Sequence, residues 1–276
     1  MIFGKAKRQS KEKSDAIRIT RDQVSSALQK IPKQDFVDRQ YDLEECPPVK
    51  KIIFILSTPR SGSTLLSDLI YRSGLCLAHE YFQKFQYMPI LADRWGCIRD
   101  DILDKPAYLE NLIRKRTSPS GWLGINLHGE HLPIFSKFEN LIPEVETQFI
   151  HLVRKDSIAQ AVSYELAMQS GKWSSHFSEA GEVSYSFSRI KACLETMNQQ
   201  NTLISAYLKS RKFKGEIVFY EDLIKSPVAK LKELLPVSTP EELNMGSNLQ
   251  RQSSAINNEW IERFSKEYYE TLEKGQ

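Results

Sequence analysis

The segment at residues 51–74 constrains the fold of this chain more than any other part of its sequence. It begins with an unbroken apolar run at 52–56, a pattern typical of a strand that is buried on both faces. A turn of mostly small residues follows at 57–62, and apolar residues then recur at helical spacing from Ser63 onward. This order of strand, turn and helix predicts an α/β domain with a mainly parallel sheet.

The turn itself predicts an anion site. Backbone N–H groups at the start of a helix point toward one place, and the helix dipole favours negative charge there. Gly62 allows the backbone to approach a ligand closely, and Ser61, Ser63 and Thr64 add hydroxyl donors. Arg60 adds a fixed positive charge. We interpret the turn as a phosphate-binding loop; the alternative is an ordinary strand-to-helix turn that happens to be rich in serine.

Further apolar runs continue the alternation of strands and helices. More strands are predicted at 75–78, 122–127, 147–153 and 216–220. Helices are predicted at 106–113, 158–169, 184–210 and 259–272. The sequence therefore predicts a P-loop-type three-layer sandwich, with a central, mainly parallel sheet of about five strands and helices on both faces.

Residues 48–276 are predicted to form this domain, and residues 1–47 an N-terminal extension that is disordered in part. The extension starts with basic and polar residues and lacks the apolar core of a signal peptide. One short helix is expected within it, at 21–30.

Charge and cysteine content exclude some classes of protein. A net charge of +3 is too balanced to indicate nucleic-acid binding, and no apolar run is long enough to cross a membrane. The four cysteines, Cys46, Cys76, Cys97 and Cys193, lack the spacing of metal ligands. Free thiols of this kind are typical of a reduced, cytoplasmic protein, which is what we expect.

Two charged residues follow predicted strands at the sheet edge where the loop lies. Glu80 comes just after the second strand, and Arg154 directly after the fourth. Parallel strands that are joined by helices end at the same edge, so we expect both residues near Arg60. The alternatives are a surface charge partnered by Asp156 for Arg154, and a helix-capping or surface acid for Glu80.

Aromatic residues near Glu80 are potential acceptor contacts. Tyr81 and Phe82, with Phe85 and Tyr87, could stack on a sugar ring or belong to the core. Trp173 could line an acceptor or adenine pocket, or likewise belong to the core. Residues 83–121 look irregular apart from the helix at 106–113, and they form either an acceptor pocket or lid, or an insertion that covers the core.

The His128-Gly129-Glu130-His131 sequence is the one pattern that could bind a metal. It lacks the longer spacing of the zinc proteases and has no obvious third ligand, so we expect no metal.

An anion-binding loop by itself leaves kinases, nucleotidases and sulfotransferases open. Enzymes of nucleoside triphosphates place a lysine after the last glycine of the loop and hold magnesium with the next Ser or Thr. Here Ser63 follows Gly62 directly, and the fourth strand ends in Arg154 where such enzymes often place an aspartate that supports magnesium. Cationic side chains without a metal carboxylate suit transfer of a sulfuryl group, which carries less charge than a phosphoryl group.

Two alternatives remain at this point. A small-molecule kinase of the P-loop class would use ATP and magnesium. A non-enzymatic module would keep the anion loop without transferring any group, although the presence of Arg60, Glu80, Arg154 and Ser163 together argues against it.

The sequence resembles a family of sulfotransferases that use 3′-phosphoadenosine-5′-phosphosulfate (PAPS). The segment TPRSGSTLL is similar to their 5′-phosphosulfate loop. The segments HEYF, RKDSIAQAVSYELAMQSGKWSS, YEDL and LQRQSSAINNEWIERF, with a GxxLH pattern at 124–128, resemble in order those of bacterial trehalose 2-sulfotransferases over residues 50–265. Asn126 stands where this family often has lysine, a departure that concerns the acceptor.

The resemblance implies a role for each matching residue. Glu80 takes the place of the general base, and Arg60 that of the cation beside the departing phosphate oxygen. The 5′-phosphosulfate would be held by Ser61, Gly62, Ser63 and Thr64, and the 3′-phosphate by Arg154, Ser163 and Arg251. The resemblance also implies a homodimer and a small-molecule or glycan acceptor, with PAPS as co-substrate and no metal.

Overall fold

The computed structural model describes residues 16–31, 35–173, 182–212, 215–236 and 255–274. Its strands are β1 (Lys51–Ser57), β2 (Ala78–His79), β3 (Ile98–Arg99), β4 (Ile102–Leu103), β5 (Trp122–His128), β6 (Glu146–Val153) and β7 (Glu216–Phe219). Five of them form one sheet in the order β2-β5-β1-β6-β7, and every neighbouring pair is parallel. β3 and β4 form a separate antiparallel pair.

Ten helices surround this sheet in the part of the chain that the structure describes. They are α1 (Arg21–Lys30), α2 (Ser63–Arg72), α3 (Tyr87–Arg94), α4 (Lys105–Arg116), α5 (Leu132–Phe135), α6 (Ser157–Ser170), α7 (Phe187–Ser210), α8 (Tyr220–Lys225), α9 (Pro227–Leu234) and α10 (Ala255–Lys274). Short 3₁₀ turns lie at Arg39–Tyr41, Gly129–His131 and Glu139–Leu141. None of the described helices is both long and apolar enough to cross a lipid bilayer.

The central strand β1 shows why the sheet is covered on both faces. Phe54 and Leu56 pack in one apolar cluster with α4 and α7, whereas Ile53 and Ile55 pack in another with α2 and α9. Because successive side chains of a strand point to opposite faces, a continuous apolar run needs helices on both sides. The predicted α/β sandwich with a parallel five-stranded sheet and helices around it is confirmed.

The registers of the central strands place the site. Ser57, the last residue of β1, is level with His128 in β5 and with Leu152 in β6. His79, which ends β2, is level with Ile125. The residues that follow these strands therefore come out along one sheet edge, which is the edge where open α/β sheets bind ligands.

Residues 83–121 are more regular than their sequence indicates. The structure contains α3 and the β3–β4 pair in addition to α4, so the expectation of a single helix was wrong. α3 is hard to predict because most of its residues, Met88–Ala92 included, are buried. A helix that is apolar on all sides lacks the periodicity that identifies an amphipathic helix.

The described part of the N-terminal extension packs against the domain. Ile17 and Ile19 are buried in the same apolar cluster as β1, and their backbone groups bond to Leu103 and Asp101. The expected helix at 21–30 is confirmed as α1, which a Thr20–Gln23 capping box begins. Residues 1–15, for which disorder was expected, lie outside the described residues.

Candidate active site

One cavity of about 1210 Å³ opens at the carboxyl edge of the sheet. Most of the residues that the sequence singled out line it: Arg60, Gly62, Ser63, Thr64, Glu80, Phe82, Arg154, Ser163 and Trp173. The structure thus brings the loop after β1, the residue after β2 and the residue after β6 to one place. The expectation that Glu80 and Arg154 lie near Arg60 matches this geometry.

The loop after β1 has the backbone of an anion site. Gly62 is the N-cap of α2 and has a φ of 92°, in the left-handed region. A Cβ atom at this position would lie 2.5 Å from a ring carbon of Tyr220, so only glycine fits. The first helical bond of α2 runs from the Leu66 N–H to the Gly62 carbonyl. The N–H groups at 63–65 therefore have no acceptor within the helix and are available to a ligand.

Two buried polar residues hold this loop in shape. The Ser61 hydroxyl donates to the Thr58 carbonyl at 2.8 Å, and this fully buried side chain does not line the cavity. The Gln160 amide donates to the Thr58 hydroxyl at 2.8 Å and to the Pro59 carbonyl at 2.7 Å. Sequence reasoning missed Gln160, because nothing in the pattern of α6 distinguishes it from other polar positions of the helix.

Arg60, Ser163 and Arg154 form the cationic side of the cavity. Arg60 Nε donates to Ser163 Oγ at 3.0 Å, and its guanidinium also donates to the Trp173 carbonyl. Arg154 donates to the Arg60 carbonyl at 3.3 Å and lies 5.0 Å from the centre of the Tyr220 ring. Burial, and then repulsion by Arg154, lower the pKa of Arg60 to about 10. Arg60 therefore keeps its charge at neutral pH, and an anion between the two guanidinium groups would relieve their repulsion.

Arg154 has a second feature of an anion ligand. Its Nε is buried and lacks a hydrogen-bond partner among the described residues, and a buried donor of this kind is rare unless a ligand uses it. Asp156, the partner in the alternative interpretation, instead caps α6 by accepting from the Ala159 N–H at 2.8 Å.

Glu80 lies between two histidines on the other side of the loop. Its Oε1 is 3.7 Å from His128 Nε2, and its Oε2 is 3.9 Å from His131 Nε2. His128 Nε2 is also 3.4 Å from the hydroxyl of Ser63 in the loop. Burial raises the pKa of Glu80 to about 7 and lowers that of His128 to about 4. A carboxyl group that titrates near neutral pH is well matched to general-base catalysis.

The comparison with known protein families decides between the chemistries that such a cavity allows. The sequence profile of the Stf0 sulphotransferase family matches residues 53–267. The chain belongs to this family. It is therefore a sulfotransferase, and the kinase alternative is not favoured.

A similar solved structure is the sulfotransferase domain from the Synechococcus PCC 7002 olefin synthase, with 18% sequence identity and a TM-score of 0.46 over 79% of this chain and 85% of that one. No curated protein sequence matches the chain significantly.

The sulfotransferase cavity extends beyond Glu80 to residues that sequence reasoning missed. They are His79 and, in the N-terminal extension, Asp35 and Phe36, and they line it beside Tyr87, which the sequence had already indicated as a potential acceptor contact. His79 Nε2 lies 3.5 Å from Asp35 Oδ1, and the Tyr87 hydroxyl donates to Asp35 Oδ2 at 3.4 Å. Asp35 precedes the residues that the family profile covers. Only the folding of the extension over β2 brings it into the site.

The three remaining predicted site residues differ in their relation to the cavity. Tyr81 is fully buried, donates its hydroxyl to the Leu77 carbonyl at 3.1 Å and does not line the cavity, so the structure places it in the core. The ring of Phe82 packs edge-on against Phe135 and Phe138, with a small part of the residue at the cavity wall. Arg251 lies outside the described residues.

Proposed function

We propose that this sulfotransferase moves a sulfuryl group from PAPS to a hydroxyl group of a small acceptor, with Glu80 as the general base. The observation that carries the proposal is the arrangement of one cavity. Arg60, Arg154 and the start of α2 form a cationic region in it, here called the donor end. Glu80, with His79, Tyr87 and Asp35, forms the opposite region, here called the acceptor end. An in-line transfer needs such a pair of regions on either side of the sulfur atom.

At the donor end we assign the 5′-phosphosulfate to the N–H groups of α2 and the hydroxyl groups of Ser63 and Thr64. Ser61 would act through its backbone and by holding the loop, since its hydroxyl is bonded to Thr58. The 3′-phosphate is assigned to Arg154 and Ser163, with Arg251 as a third contact. Charge-assisted bonds from arginine suit phosphate groups.

The proposed reaction breaks one S–O bond and forms another. The acceptor oxygen attacks the sulfur atom while Glu80 takes the hydroxyl proton. The bond between sulfur and the 5′-phosphate oxygen breaks, and 3′,5′-adenosine bisphosphate leaves with the electron pair. Arg60 and the loop N–H groups stabilise the negative charge that grows on this oxygen. In this proposal the arginine residues supply the positive charge, and no metal takes part.

The acceptor that we propose is a carbohydrate or glycoconjugate. Several polar side chains line the acceptor end, and the ring of Phe85 in the cavity wall is 70% exposed. An exposed ring beside polar groups suits a sugar, which offers apolar C–H faces and hydroxyl groups together.

We further propose that the protein forms a homodimer, as the family resemblance implies. We also propose a cytoplasmic location, because free thiols are typical of that compartment. The free cysteines are Cys46, Cys76, Cys97 and Cys193.

A labelling experiment tests the proposed function. The full-length protein is incubated with ³⁵S-labelled PAPS and a metabolite extract, and labelled products are identified. We expect the ³⁵S label on a compound that carries hydroxyl groups, and the proposed acceptor class predicts that this compound contains a sugar. A thermal-shift comparison should show stabilisation by 3′,5′-adenosine bisphosphate but not by ATP with magnesium. Stabilisation by ATP-magnesium alone, or transfer of phosphate in place of sulfate, would refute the proposal.

A further inference from the structure

The end of β5 presents two histidine rings to Glu80. His128 ends the strand, and His131 ends the 3₁₀ turn that follows. The rings stack with their centres 5.0 Å apart, and each faces a different oxygen of the Glu80 carboxyl group. Both histidines are buried, His131 to 3% exposure. Sequence reasoning treated these histidines as a weak metal motif and did not connect them with Glu80.

The backbone fixes which nitrogen of His131 carries a proton. His131 Nδ1 accepts a hydrogen bond from the His128 backbone N–H at 3.1 Å. A neutral imidazole that accepts at Nδ1 must hold its hydrogen on Nε2. Burial, and then the charges of His128 and His79, lower the pKa of His131 well below its usual value. The ring is therefore a neutral Nε2–H donor at physiological pH.

The Nε2–H group of His131 donates no hydrogen bond to any residue that the structure describes. His131 Nε2 is buried and lacks a hydrogen-bond partner among the described residues. The carboxyl oxygens around it are Glu80 Oε2 and Glu130 Oε1, each at 3.9 Å. His128 Nε2 lies 3.4 Å from the Ser63 hydroxyl and 3.7 Å from Glu80 Oε1, so a hydrogen on this nitrogen faces both oxygen atoms.

A metal ion is the competing interpretation of the same cluster, since ligand atoms of Glu80, His128 and His131 lie within 4.8 Å of one another. Histidines that bind metals usually donate their second N–H to a carbonyl or carboxylate group. His131 does the reverse, because its Nδ1 accepts. A metal at Nε2 would require the doubly deprotonated ring, so the geometry favours donation to Glu80.

We propose that His128 and His131 are positioning residues that donate their Nε2–H groups to Glu80 and hold its carboxylate toward the acceptor hydroxyl. The catalytic consequence rests on the proposed role of Glu80 as the base. The present separations of 3.7 and 3.9 Å exceed those of hydrogen bonds. Catalytic hydrogen bonds are often long without substrate and shorten in the reacting complex. Donors of this kind favour the ionised carboxylate, so they oppose the effect of burial on Glu80.

The test uses two variants of His131 that separate its two nitrogen atoms. His131→Asn keeps an acceptor near the Nδ1 position for the His128 N–H but lacks the Nε2 donor. His131→Gln places an amide N–H near the Nε2 position but loses the close acceptor. The other titratable groups facing Glu80 or His131 are Glu130, Tyr87 and His79, and they stay unchanged.

The readout is the pKa of Glu80, which does not depend on knowing the acceptor. It is measured by ¹³C NMR on glutamate-labelled, full-length protein saturated with 3′,5′-adenosine bisphosphate, and the signal is assigned with Glu80→Gln. We expect His131→Asn to raise the pKa of Glu80 by about one unit, the value of a hydrogen bond to a charged group. His131→Gln should stay closer to the wild-type pKa while losing more thermal stability. A pKa that is equal in wild type and His131→Asn would overturn the proposal.

Two controls separate the competing outcomes. Equimolar zinc binding by the wild type that both His131→Asn and Glu80→Gln lose would overturn the donor role in favour of a metal site. Sulfate transfer by Glu80→Gln at the wild-type rate would refute Glu80 as base even if the NMR shift is found. An unchanged NMR pKa in His131→Asn, with transfer lost in Glu80→Gln, would refute the histidine proposal alone.

Discussion

The donor end and the acceptor end of the cavity handle charge in opposite ways. At the donor end, Arg154 lies close enough to Arg60 to lower the pKa of Arg60, and yet Arg60 stays charged at neutral pH. At the acceptor end, burial keeps His79 and His128 neutral and moves the pKa of Glu80 to about 7. In the proposed reaction, this difference suits a bound anion at the donor end and the transfer of one proton at the acceptor end.

The two ends also differ in how the chain builds them. The donor end consists of a short loop, a helix start and the ends of β1 and β6, all within the residues that the family profile matches. The acceptor end combines β2, β5, α3 and the N-terminal extension, part of which precedes the matched residues. Asp35 and Phe36 are thus lining residues of the acceptor end that the family profile does not cover.

The largest expected effect comes from removing the proposed base at the acceptor end. Glu80→Gln keeps the shape of the side chain but cannot take a proton. We expect kcat to fall by about 10²–10⁴-fold, the usual contribution of a general base. The affinity for 3′,5′-adenosine bisphosphate, measured by calorimetry, should change less than about twofold, since the donor end is intact. Loss of nucleotide affinity in this variant would show that the two ends are not separate.

The converse change at the donor end should weaken nucleotide binding. We expect Arg154→Ala to reduce the affinity for 3′,5′-adenosine bisphosphate by about 10- to 100-fold, as for the loss of hydrogen bonds to a charged group. Lys155→Ala is the matched control, because Lys155 is the next residue and pairs with Asp222 outside the cavity. Equal effects of the two substitutions would mean that only net charge matters.

The buried histidines make acid stability a property of the acceptor end. Burial, and then the charge of Arg116, lower the pKa of His79 from 6.5 to about 3, and burial lowers that of His128 to about 4. Between pH 6.5 and pH 4 the unfolded chain binds protons that the native protein does not, so stability falls as the pH decreases. Glu80 acts in the opposite sense between pH 4.5 and pH 7, because its native pKa is raised.

Since His131 adds to the same trend, the histidines outweigh Glu80. Each buried histidine should lower the free energy of unfolding by about 1.4 kcal/mol for every unit by which the pH falls. Glu80 contributes one slope of the opposite sign, so it cancels the effect of one histidine. Urea denaturation at several pH values would measure this slope, and His79→Gln should make it shallower. A free energy of unfolding that stays constant from pH 6.5 to pH 4.5 would contradict the assignment of neutral buried rings.

The smallest expected effect concerns the aromatic wall of the acceptor end. Phe85→Ala should raise KM for the acceptor by about fivefold, the value of one aromatic contact near 1 kcal/mol. The melting temperature should hardly change, because this ring is 70% exposed. Ile217→Ala is the control, as Ile217 is a similarly exposed apolar residue outside the cavity. Phe85→Ala kinetics that match those of the control would place the acceptor elsewhere.

Much of the donor end was predictable because its signals are local. The apolar run of β1, the small residues of the loop and the spacing of α2 lie next to one another in the sequence. Parallel strands that are joined by helices end at one edge of the sheet. This rule predicts that Glu80 and Arg154 lie near the loop, and it needs no knowledge of contacts between residues. The side-chain directions were less predictable: Ser61 faces inward to Thr58, and Tyr81 faces the core.

The sequence by itself determined the α/β order of elements, the position of the loop between β1 and α2 and the strand ends that carry charged residues. These features follow from chain-local periodicity and steric preference. Only the tertiary structure decided the environment of Glu80, the bracing of the loop by Gln160 and the entry of Asp35 into the cavity. These depend on burial and on contacts between distant segments, and pKa values follow from burial rather than from the order of residues.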